Sequence, residues 1–237
     1  MHDIAIGIFC KTPAGGLSKT RLSPPLRPEE CAAISACFIS DVAATIAEVA
    51  HDGRAIGYAV YTPAGSEAEL RALLPPGFRL LAQCEDDFGT RVAAAVRELL
   101  AAHAGVVLVN ADSPTLPASI LRAAVDATRQ GGIVLSPALD GGYTLIGLSQ
   151  LHERLFTDIP WSTTEVHRVT VERAREIGMP VTSVPGWYDV DDAASLTLLQ
   201  AELAGESLPF APAVAGAAAS ATRSYLQQRT ELQRTVV

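Results

Sequence analysis

One segment of this chain combines flexible glycines with basic side chains, although the net charge of the whole chain is −8. It reads "KTPAGGLSKTR" and follows the apolar run Ile4–Cys10. Glycines allow a backbone to approach a ligand closely, and Lys and Arg give charge-assisted hydrogen bonds to phosphate oxygens. The Walker A and dinucleotide-binding glycine spacings are absent. The segment therefore predicts a phosphate-binding loop rather than an exposed turn, with these candidate ligands: Lys11, Gly15, Gly16, Lys19 and Arg21.

Candidate metal ligands lie in two acidic segments far apart in the sequence. The apolar run in "VVLVNADSPTLP" ends at Asp112, and "GWYDVDDAASL" contains Asp189 and Asp191. Hard cations such as Mg²⁺ and Mn²⁺ prefer oxygen ligands, and a cation would relieve the repulsion between close carboxylates. We expect Asp112 and Asp191 within roughly 8 Å of each other, with Asp189 in reserve. The alternative is that Asp112, Ser113, Asp191 or Asp192 only caps a helix.

Two further segments are candidates for the substrate side of a site. In "SPALDGGYTLIGL", Asp140 precedes Gly141, Gly142 and Tyr143. This pattern is also typical of a hairpin turn. A rigid turn above a cleft would let the glycines clear space for a flat ring or sugar, and Asp140 is a candidate general base. Arg91, in "QCEDDFGTRV", belongs either to a substrate loop or to the start of a helix.

The elements expected to position these residues alternate between short apolar runs and longer amphipathic ones. Predicted strands are Ile4–Cys10, Ala55–Thr62, Phe78–Ala82, Val106–Asn110, Ile133–Pro137 and Tyr143–Leu148. Predicted helices are Pro28–Ala50, Ser66–Leu74, Gly89–Ala102, Pro117–Thr128, Thr163–Ile177 and Asp191–Ala204. This alternation predicts a single-domain α/β fold with a mostly parallel sheet. Ligands of such sheets bind beyond the carboxyl ends of the strands, where the segments above lie.

Composition narrows the range of partners. The chain has 237 residues, is 49% hydrophobic and has a pI of about 5.1. An acidic chain without a basic stripe is a poor nucleic-acid binder. No apolar run approaches the roughly 20 residues that cross a bilayer, and the first residues do not resemble a signal peptide. Four scattered cysteines without metal-ligand spacing favour reduced thiols. We therefore expect a cytoplasmic protein without membrane or nucleic-acid partners.

Together these motifs resemble the nucleotide-diphospho-sugar transferase-like proteins of the GT-A type, in particular the DUF2064 group, also called radical-SAM/selenodomain-associated transferase 1. Some members of that group are described as glycosyltransferases of arsenosugar biosynthesis. The resemblance spans about residues 4 to 200 and rests on these segments: "KTPAGGLSKTRL", "FGTRV", "ADSPTLP", "LSPALDGGYTLIGL", "IPWSTTEV" and "YDVDDAASL". The family's "GSDCP"-like and "DTPEDL"-like strings read "NADSP" and "DDAASL" here, which retains the candidate metal aspartates.

The resemblance implies a Rossmann-like three-layer sandwich that binds a nucleotide with Mg²⁺ or Mn²⁺. It implies phosphate binding by Lys11, Lys19 and Arg21, and metal binding by Asp112 and Asp191 with Asp189 beside them. It also implies that residues 140–143 lie on the acceptor or sugar side. We expect residues 1–204 to form the transferase domain, and residues 205–237 to form an Ala/Pro-rich tail or oligomer contact.

Three functions remain open at this point. The first is metal-dependent glycosyl transfer from a nucleoside-diphosphate sugar to a small acceptor. The second is nucleotidyl transfer, in which a phosphorylated small molecule attacks a nucleoside triphosphate and releases pyrophosphate. The third is non-catalytic nucleotide binding, which loss of the metal carboxylates would have favoured. The first two readings predict a transferase that neutralises a phosphate leaving group by electrostatics, with Asp112 and Asp140 in the catalytic centre.

Overall fold

A computed structural model describes residues 3–51, 53–206, 208, 210 and 214–235. Its centre is a seven-stranded sheet in the order β3-β2-β1-β4-β6-β5-β7. The strands are β1 (Ile4–Lys11), β2 (Ala55–Thr62), β3 (Arg79–Ala82), β4 (Gly105–Asn110), β5 (Ile133–Pro137), β6 (Tyr143–Leu148) and β7 (Val181–Ser183). Neighbouring strands pair in parallel except that β6 runs antiparallel to both β4 and β5. The predicted mostly parallel α/β fold is confirmed.

Helices cover both faces of the sheet. They are α1 (Pro28–Ala50), α2 (Glu67–Arg71), α3 (Phe88–Leu100), α4 (Ala118–Gln130), α5 (Val166–Glu176), α6 (Ala193–Leu203) and α7 (Ser220–Thr235). Buried side chains of α1, α4 and α6 share one core with the sheet, and those of α3 share a second core on the opposite face. The central strands β1 and β4 are buried on both faces, which explains their uninterrupted apolar sequences.

The helix α1 is longer and more apolar than the sequence analysis expected of any segment in this chain. It has 23 residues, and an 18-residue stretch of it has a mean hydropathy of 1.6. By length and composition alone, such a helix could cross a membrane. The expectation that no apolar run approaches this length was wrong. Its apolar side chains, including Ile34, Phe38 and Ile46, are buried in the core beside the sheet. An apolar helix is therefore required here by packing, and the cytoplasmic location stays a prediction.

The C-terminal helix α7 packs against α1 of the same chain. The carboxylate of Asp41 accepts hydrogen bonds of 2.9 Å from the backbone N–H groups of both Ala221 and Thr222, at the start of α7. Farther along, Arg229 Nε donates to Glu30 Oε1 at 3.0 Å. These contacts attach the predicted tail to the helical layer. The boundary at residue 204 and a role in oligomer contacts stay predictions.

Candidate functional site

The basic loop and the two acidic segments meet at Lys19. Its ammonium Nζ lies 2.8 Å from Asp112 Oδ1 and 2.7 Å from Asp191 Oδ1, and it donates to the backbone oxygen of Val190 at 2.8 Å. Lys19 has φ of 49° and ψ of 40°, the left-handed region that residues other than glycine rarely adopt. Strained backbone of this kind persists where surrounding contacts hold it, and it is common at functional sites.

Burial makes this arrangement electrostatically strong. The side chain of Lys19 is only 8% exposed, whereas those of Asp112 and Asp191 are 36% and 31% exposed. Burial opposes the charge of Lys19, but the two carboxylates outweigh burial and raise the pKa of its ammonium. Because both carboxylates contact the same Nζ atom, the distance between Asp112 Oδ1 and Asp191 Oδ1 cannot exceed the sum of these two contacts. The two carboxylates therefore lie within the expected limit of roughly 8 Å. The position where a metal ion was expected is therefore held by an ammonium.

The capping alternatives apply to neighbouring residues instead. Asp192 is the N-cap of α6, since its side chain accepts from the Ser195 backbone N–H at 2.8 Å. The N-cap of α4 is Pro117, and no side chain caps that helix. Neither Asp112 nor Asp191 is therefore used as a helix cap, and both carboxylates lie at the carboxyl edge of the sheet.

The other cations of the loop line a small cavity of about 310 Å³ with Lys19. Arg21 Nη2 lies 2.7 Å from Asp191 Oδ2, and its side chain is 70% exposed. Lys11 donates to the backbone oxygen of Leu17 at 3.3 Å. Gly15 and Gly16 do not line this cavity, although Gly16 has a φ of 71° that a turn requires. The structure brings the three cations to one cavity, and binding of phosphate there stays a prediction.

A second acidic group lies beside the first. Asp140, Asp189 and Asp191 each offer a carboxylate oxygen, and these oxygens lie within 4.8 Å of one another. Burial, together with the negative charges of Asp140, Asp191 and Asp112, raises the pKa of Asp189 to about 7. Asp112, which was expected to share the metal with Asp191, is not in this group. Lys19 supplies a positive charge between Asp112 and Asp191. The charged groups that act on Asp189 are carboxylates, so a cation is needed there instead.

A larger cavity of about 530 Å³ adjoins the smaller one, and both are lined by Phe9, Asp112 and Asp191. Aromatic rings form its wall. The ring centroids of Phe9 and Phe88 lie 5.4 Å apart, and those of Phe88 and Trp161 lie 4.8 Å apart. Sequence reasoning did not identify Phe9 or Phe88 as residues of the site. Phe88 starts α3 and is 39% exposed, and its signal in the sequence was the segment "FGTRV", one of those that carry the family resemblance.

The Asp140–Tyr143 turn borders this larger cavity and is also a hairpin turn between β5 and β6. Asp140 Oδ1 accepts from the Gly142 backbone N–H at 2.8 Å. The expectation that both glycines clear space for a ligand was wrong for Gly141. A Cβ there would lie 2.1 Å from the backbone oxygen of Thr164, so Gly141 serves close packing of two loops. Burial raises the pKa of the Tyr143 hydroxyl, which identifies it as a neutral group that packs beside the cavity.

Arg91 lines the same cavity from the second turn of α3. Its Nη1 donates to Gln83 Oε1 at 3.0 Å, and its guanidinium lies 5.5 Å from the centroid of the Phe88 ring. Gln83 is held in turn by hydrogen bonds from its Nε2 to the backbone oxygens of Cys10 and Val60. Sequence reasoning did not identify Gln83, because only the pairing of β1, β2 and β3 places it beside Arg91.

Comparison with solved structures supports this reading of the fold. A protein from Desulfovibrio desulfuricans G20, provisionally assigned as a nucleotide-diphospho-sugar transferase, is 26% identical with a TM-score of 0.80, over 99% of this chain and 98% of that one. CMP:2-keto-3-deoxy-manno-octonic acid synthetase in complex with CTP is 12% identical with a TM-score of 0.56, over 86% of this chain and 99% of that one. A 4-diphosphocytidyl-2C-methyl-D-erythritol synthase is 12% identical with a TM-score of 0.55, over 84% and 97%.

These likenesses establish the nucleotide-diphospho-sugar transferase fold and support an enzyme of the transferase class. A search of curated protein sequences finds no match. The family model described as "Uncharacterized protein conserved in bacteria (DUF2064)" matches residues 45–163, about half of the chain. The resemblance read from the motifs is thereby confirmed, and this chain is a member of the DUF2064 family.

Proposed function

We propose that this chain is a metal-dependent glycosyltransferase that transfers a sugar from a nucleoside diphosphate to a small-molecule acceptor in the cytoplasm. The observation that supports this is a pair of adjoining, chemically unlike cavities, which share Phe9, Asp112 and Asp191 as lining residues and form the two halves of one cleft. The smaller half is lined by Lys11, Lys19 and Arg21, and the larger by aromatic rings and carboxylates. A charged diphosphate fits the first half, and a sugar with its acceptor fits the second.

The residues of the smaller half would act on the leaving group. As the bond between sugar and diphosphate breaks, negative charge grows on the diphosphate oxygens. Lys19 is held by Asp112, Asp191 and Val190, so it would act through its positive charge, whereas the exposed Arg21 keeps donors that Asp191 does not use. Preorganised cations of this kind stabilise developing charge more than solvent does. Lys11 adds a third positive charge at the rim of the same cavity.

The acidic residues fit a hard divalent cation. Asp140, Asp189 and Asp191 each place a carboxylate oxygen within 4.8 Å of the others, and burial together with the neighbouring negative charges raises the pKa of Asp189. In this proposal Asp189 and Asp191 hold Mg²⁺ or Mn²⁺, with Asp112 or Asp140 completing the set. When bound, such an ion supplies Lewis-acid neutralisation of phosphate charge. Lys19 bridges the carboxylates of Asp112 and Asp191, which offsets their mutual repulsion and fixes one oxygen of each.

Asp140 is the candidate general base for the acceptor hydroxyl. Its Oδ1 is held by the Gly142 backbone N–H at 2.8 Å, while Oδ2 has no hydrogen-bond partner among the described residues. The carboxylate borders the larger cavity beside Tyr143, where an acceptor would bind. A base must reach the proton that it removes, and a fixed Oδ1 with an open Oδ2 meets that requirement.

Nucleotidyl transfer is a second candidate, and one observation favours it. Three cations line a cavity of about 310 Å³. A triphosphate carries more negative charge than a diphosphate, and the pyrophosphate that it releases would be held by the same loop. In this version a phosphorylated small molecule attacks the α-phosphate from the larger cavity. The third reading, non-catalytic nucleotide binding, predicts binding of the same compounds without turnover.

Product analysis distinguishes these functions. Purified protein is first screened by thermal shift against nucleoside triphosphates and nucleotide sugars, with and without Mn²⁺. Compounds that raise the melting temperature are then incubated with the protein and a pool of small alcohols and sugar phosphates. Release of nucleoside diphosphate supports glycosyl transfer, and release of pyrophosphate supports nucleotidyl transfer. Binding without either product supports the non-catalytic reading.

A matched pair of variants assigns the result to the proposed cleft. Asp191→Asn removes a carboxylate that contacts Lys19 and Arg21, whereas Asp126→Asn changes an exposed carboxylate on α4. The proposal requires that Asp191→Asn loses Mn²⁺-dependent nucleotide binding and that Asp126→Asn keeps it. Wild-type protein that gains no stability from any nucleotide contradicts the proposal altogether.

A further inference from the structure

Arg91 is the one basic side chain that lines the larger cavity, among the residues that the structure describes. Four carboxylates line the same cavity, those of Asp112, Asp140, Asp189 and Asp191. Arg91 nevertheless forms no ion pair with any described carboxylate; its polar partner is the neutral amide of Gln83. The positive charge of Arg91 is therefore uncompensated at one side of a cavity that is strongly negative at another.

The protein fixes Arg91 through an oriented amide. Gln83 is 9% exposed, and its Nε2 donates to Cys10 O at 3.1 Å and to Val60 O at 2.8 Å. Both amide protons are thus used, so Oε1 must face outward, where it accepts from Arg91 Nη1 at 3.0 Å. The Phe88 ring, 5.5 Å from the guanidinium, restricts the plane of the group. An arginine held by two neighbours in this way is preorganised.

The edge of the guanidinium that remains is the one suited to anions. Nη1 is used by Gln83, while Nε is buried and has no hydrogen-bond acceptor among the described residues. No hydrogen bond is formed by Nη2 within the same residues. Nε and Nη2 point their protons in parallel and bind carboxylate or phosphate with two bonds. A buried N–H of a charged group without an acceptor is costly, and a ligand oxygen would remove that cost.

We propose that Arg91 binds an anionic group, a carboxylate or a phosphate, of the acceptor in the aromatic half of the cleft. This inference rests on the proposed transferase function. The rings of Phe9, Phe88 and Trp161 would contact the body of the acceptor, and the bound anion would direct its hydroxyl toward Asp140 at the acidic side. Arg91 does not line the smaller cavity, so its anion is distinct from the nucleotide phosphates.

Aromatic anions are suitable probes because they match both the rings and the cation. Phenyl phosphate and benzoate are titrated into full-length protein labelled with ¹⁵N, with benzyl alcohol as the neutral match. The readouts are the Arg91 Nε–H signal and the dissociation constant. Both anions should move that signal and benzyl alcohol should not. A tighter complex with phenyl phosphate indicates a phosphorylated acceptor, and a tighter complex with benzoate indicates a carboxylated one.

Three variants test the assignment. Arg91→Gln should weaken binding of the anions about tenfold or more, the usual effect of losing a bidentate charged pair. Arg91→Lys keeps the positive charge but lacks the two parallel N–H donors of the guanidinium, so we expect an intermediate loss of anion affinity. Arg97→Gln is the matched control, because Arg97 lies on the same helix, pairs with Glu153 and lines a different cavity. Unperturbed ¹⁵N spectra elsewhere show that the variants are folded.

The outcomes separate this inference from the proposed function. Equal binding of benzyl alcohol and the anions, no binding of either anion, or unchanged affinity in Arg91→Gln overturns the assignment. Loss of nucleotide-induced thermal stabilisation in Arg91→Gln also overturns it, because Arg91 would then bind the nucleotide or its base. Wild-type protein that binds the anions through Arg91 but responds to no nucleotide keeps the anion site and rejects the transferase proposal.

Discussion

The Lys19 ammonium lies 2.8 Å from the Asp112 carboxylate, across the carboxyl edge of the sheet. The two residues come from the loops after β1 and β4, which are paired as neighbours in parallel. Asp191 joins them from the segment before α6. This contact connects the basic loop with the acidic segments, and it places a cation of the protein itself between two carboxylates expected to bind metal.

Lys19→Met should destabilise the protein by about 2 kcal/mol, because it leaves Asp112 and Asp191 close together without their common partner. The partial exposure of both carboxylates keeps the effect below that of a fully buried pair. Urea unfolding of metal-free protein measures the change. The double variant Lys19→Met, Asp191→Asn should recover part of the loss. Equal stability of Lys19→Met and wild type contradicts a structural role for the ion pairs.

Arg21→Ala should weaken nucleotide binding by roughly 1.5–3 kcal/mol, the usual size of a hydrogen bond to a charged group. Its effect on unfolding should stay within about 0.5 kcal/mol, because the side chain is 70% exposed and such ion pairs contribute little to stability. Calorimetric titration with the nucleotide found in the thermal-shift screen, beside urea unfolding, separates the two effects. Unchanged affinity would remove Arg21 from the phosphate site.

Asp189→Asn should stabilise metal-free protein by about 1 kcal/mol near pH 8 while it weakens Mn²⁺ binding. The charge of Asp189 is half-buried and faces the carboxylates of Asp140 and Asp191, so a neutral amide removes repulsion. Stability gained together with function lost is common at sites selected for activity. Thermal unfolding in a chelating buffer tests the gain, and Mn²⁺ titration tests the loss. A lower melting temperature would show that Asp189 has a favourable partner.

Gly141→Ala should destabilise the protein by about 2 kcal/mol or displace the turn, since its Cβ would overlap the Thr164 backbone and its φ is 90°. Gly15→Ala is the control. A Cβ at Gly15 meets no atom within 4 Å, and its backbone is outside the left-handed region, so we expect no loss of stability. Paired thermal unfolding curves give both values. An unchanged unfolding temperature in Gly141→Ala would show that the loop at Thr164 can move away at little cost in free energy.

Asp41→Ala should free the start of α7 at a cost of about 1–2 kcal/mol, because two backbone N–H groups lose the carboxylate that caps them. Hydrogen exchange should accelerate in residues 220–226 and change little in the strands. Asp126→Ala, on the exposed surface of α4, is the matched control. Unchanged protection of α7 would show that its contacts with α1 suffice to hold it.

The local elements could be predicted from the sequence because short-range patterns determine them. The predicted bounds of α1, β2, β5 and β6 agree with the structure to the residue. Continuous apolar runs specify buried strands, and apolar residues at helical spacing specify packed helices. The strand β7 was not predicted, because three residues are too few to show a periodic pattern. Its first residue is partly buried and the other two are exposed, so it also lacks an apolar run.

The positions of the site residues at strand ends were also predictable, because parallel strands end at a common edge. The roles of individual contacts were not. The sequence contains Lys19, Asp112 and Asp191 as plausible site residues, but nothing in it specifies that an ammonium lies between the two carboxylates. Nor does it specify that Asp189 is surrounded by like charges. Both facts depend on side-chain directions after folding.

The sequence by itself determined the α/β class, the family resemblance and the edge of the sheet where the site lies, because these follow from hydrophobic periodicity and short motifs. Only the tertiary structure decided which charges meet and which remain unpaired. Arg91 illustrates the difference: its motif is visible in the sequence, but its fixed orientation depends on Gln83, which β1 and β2 hold in place. Electrostatic interactions depend on distance and burial in space, and separation along the chain determines neither.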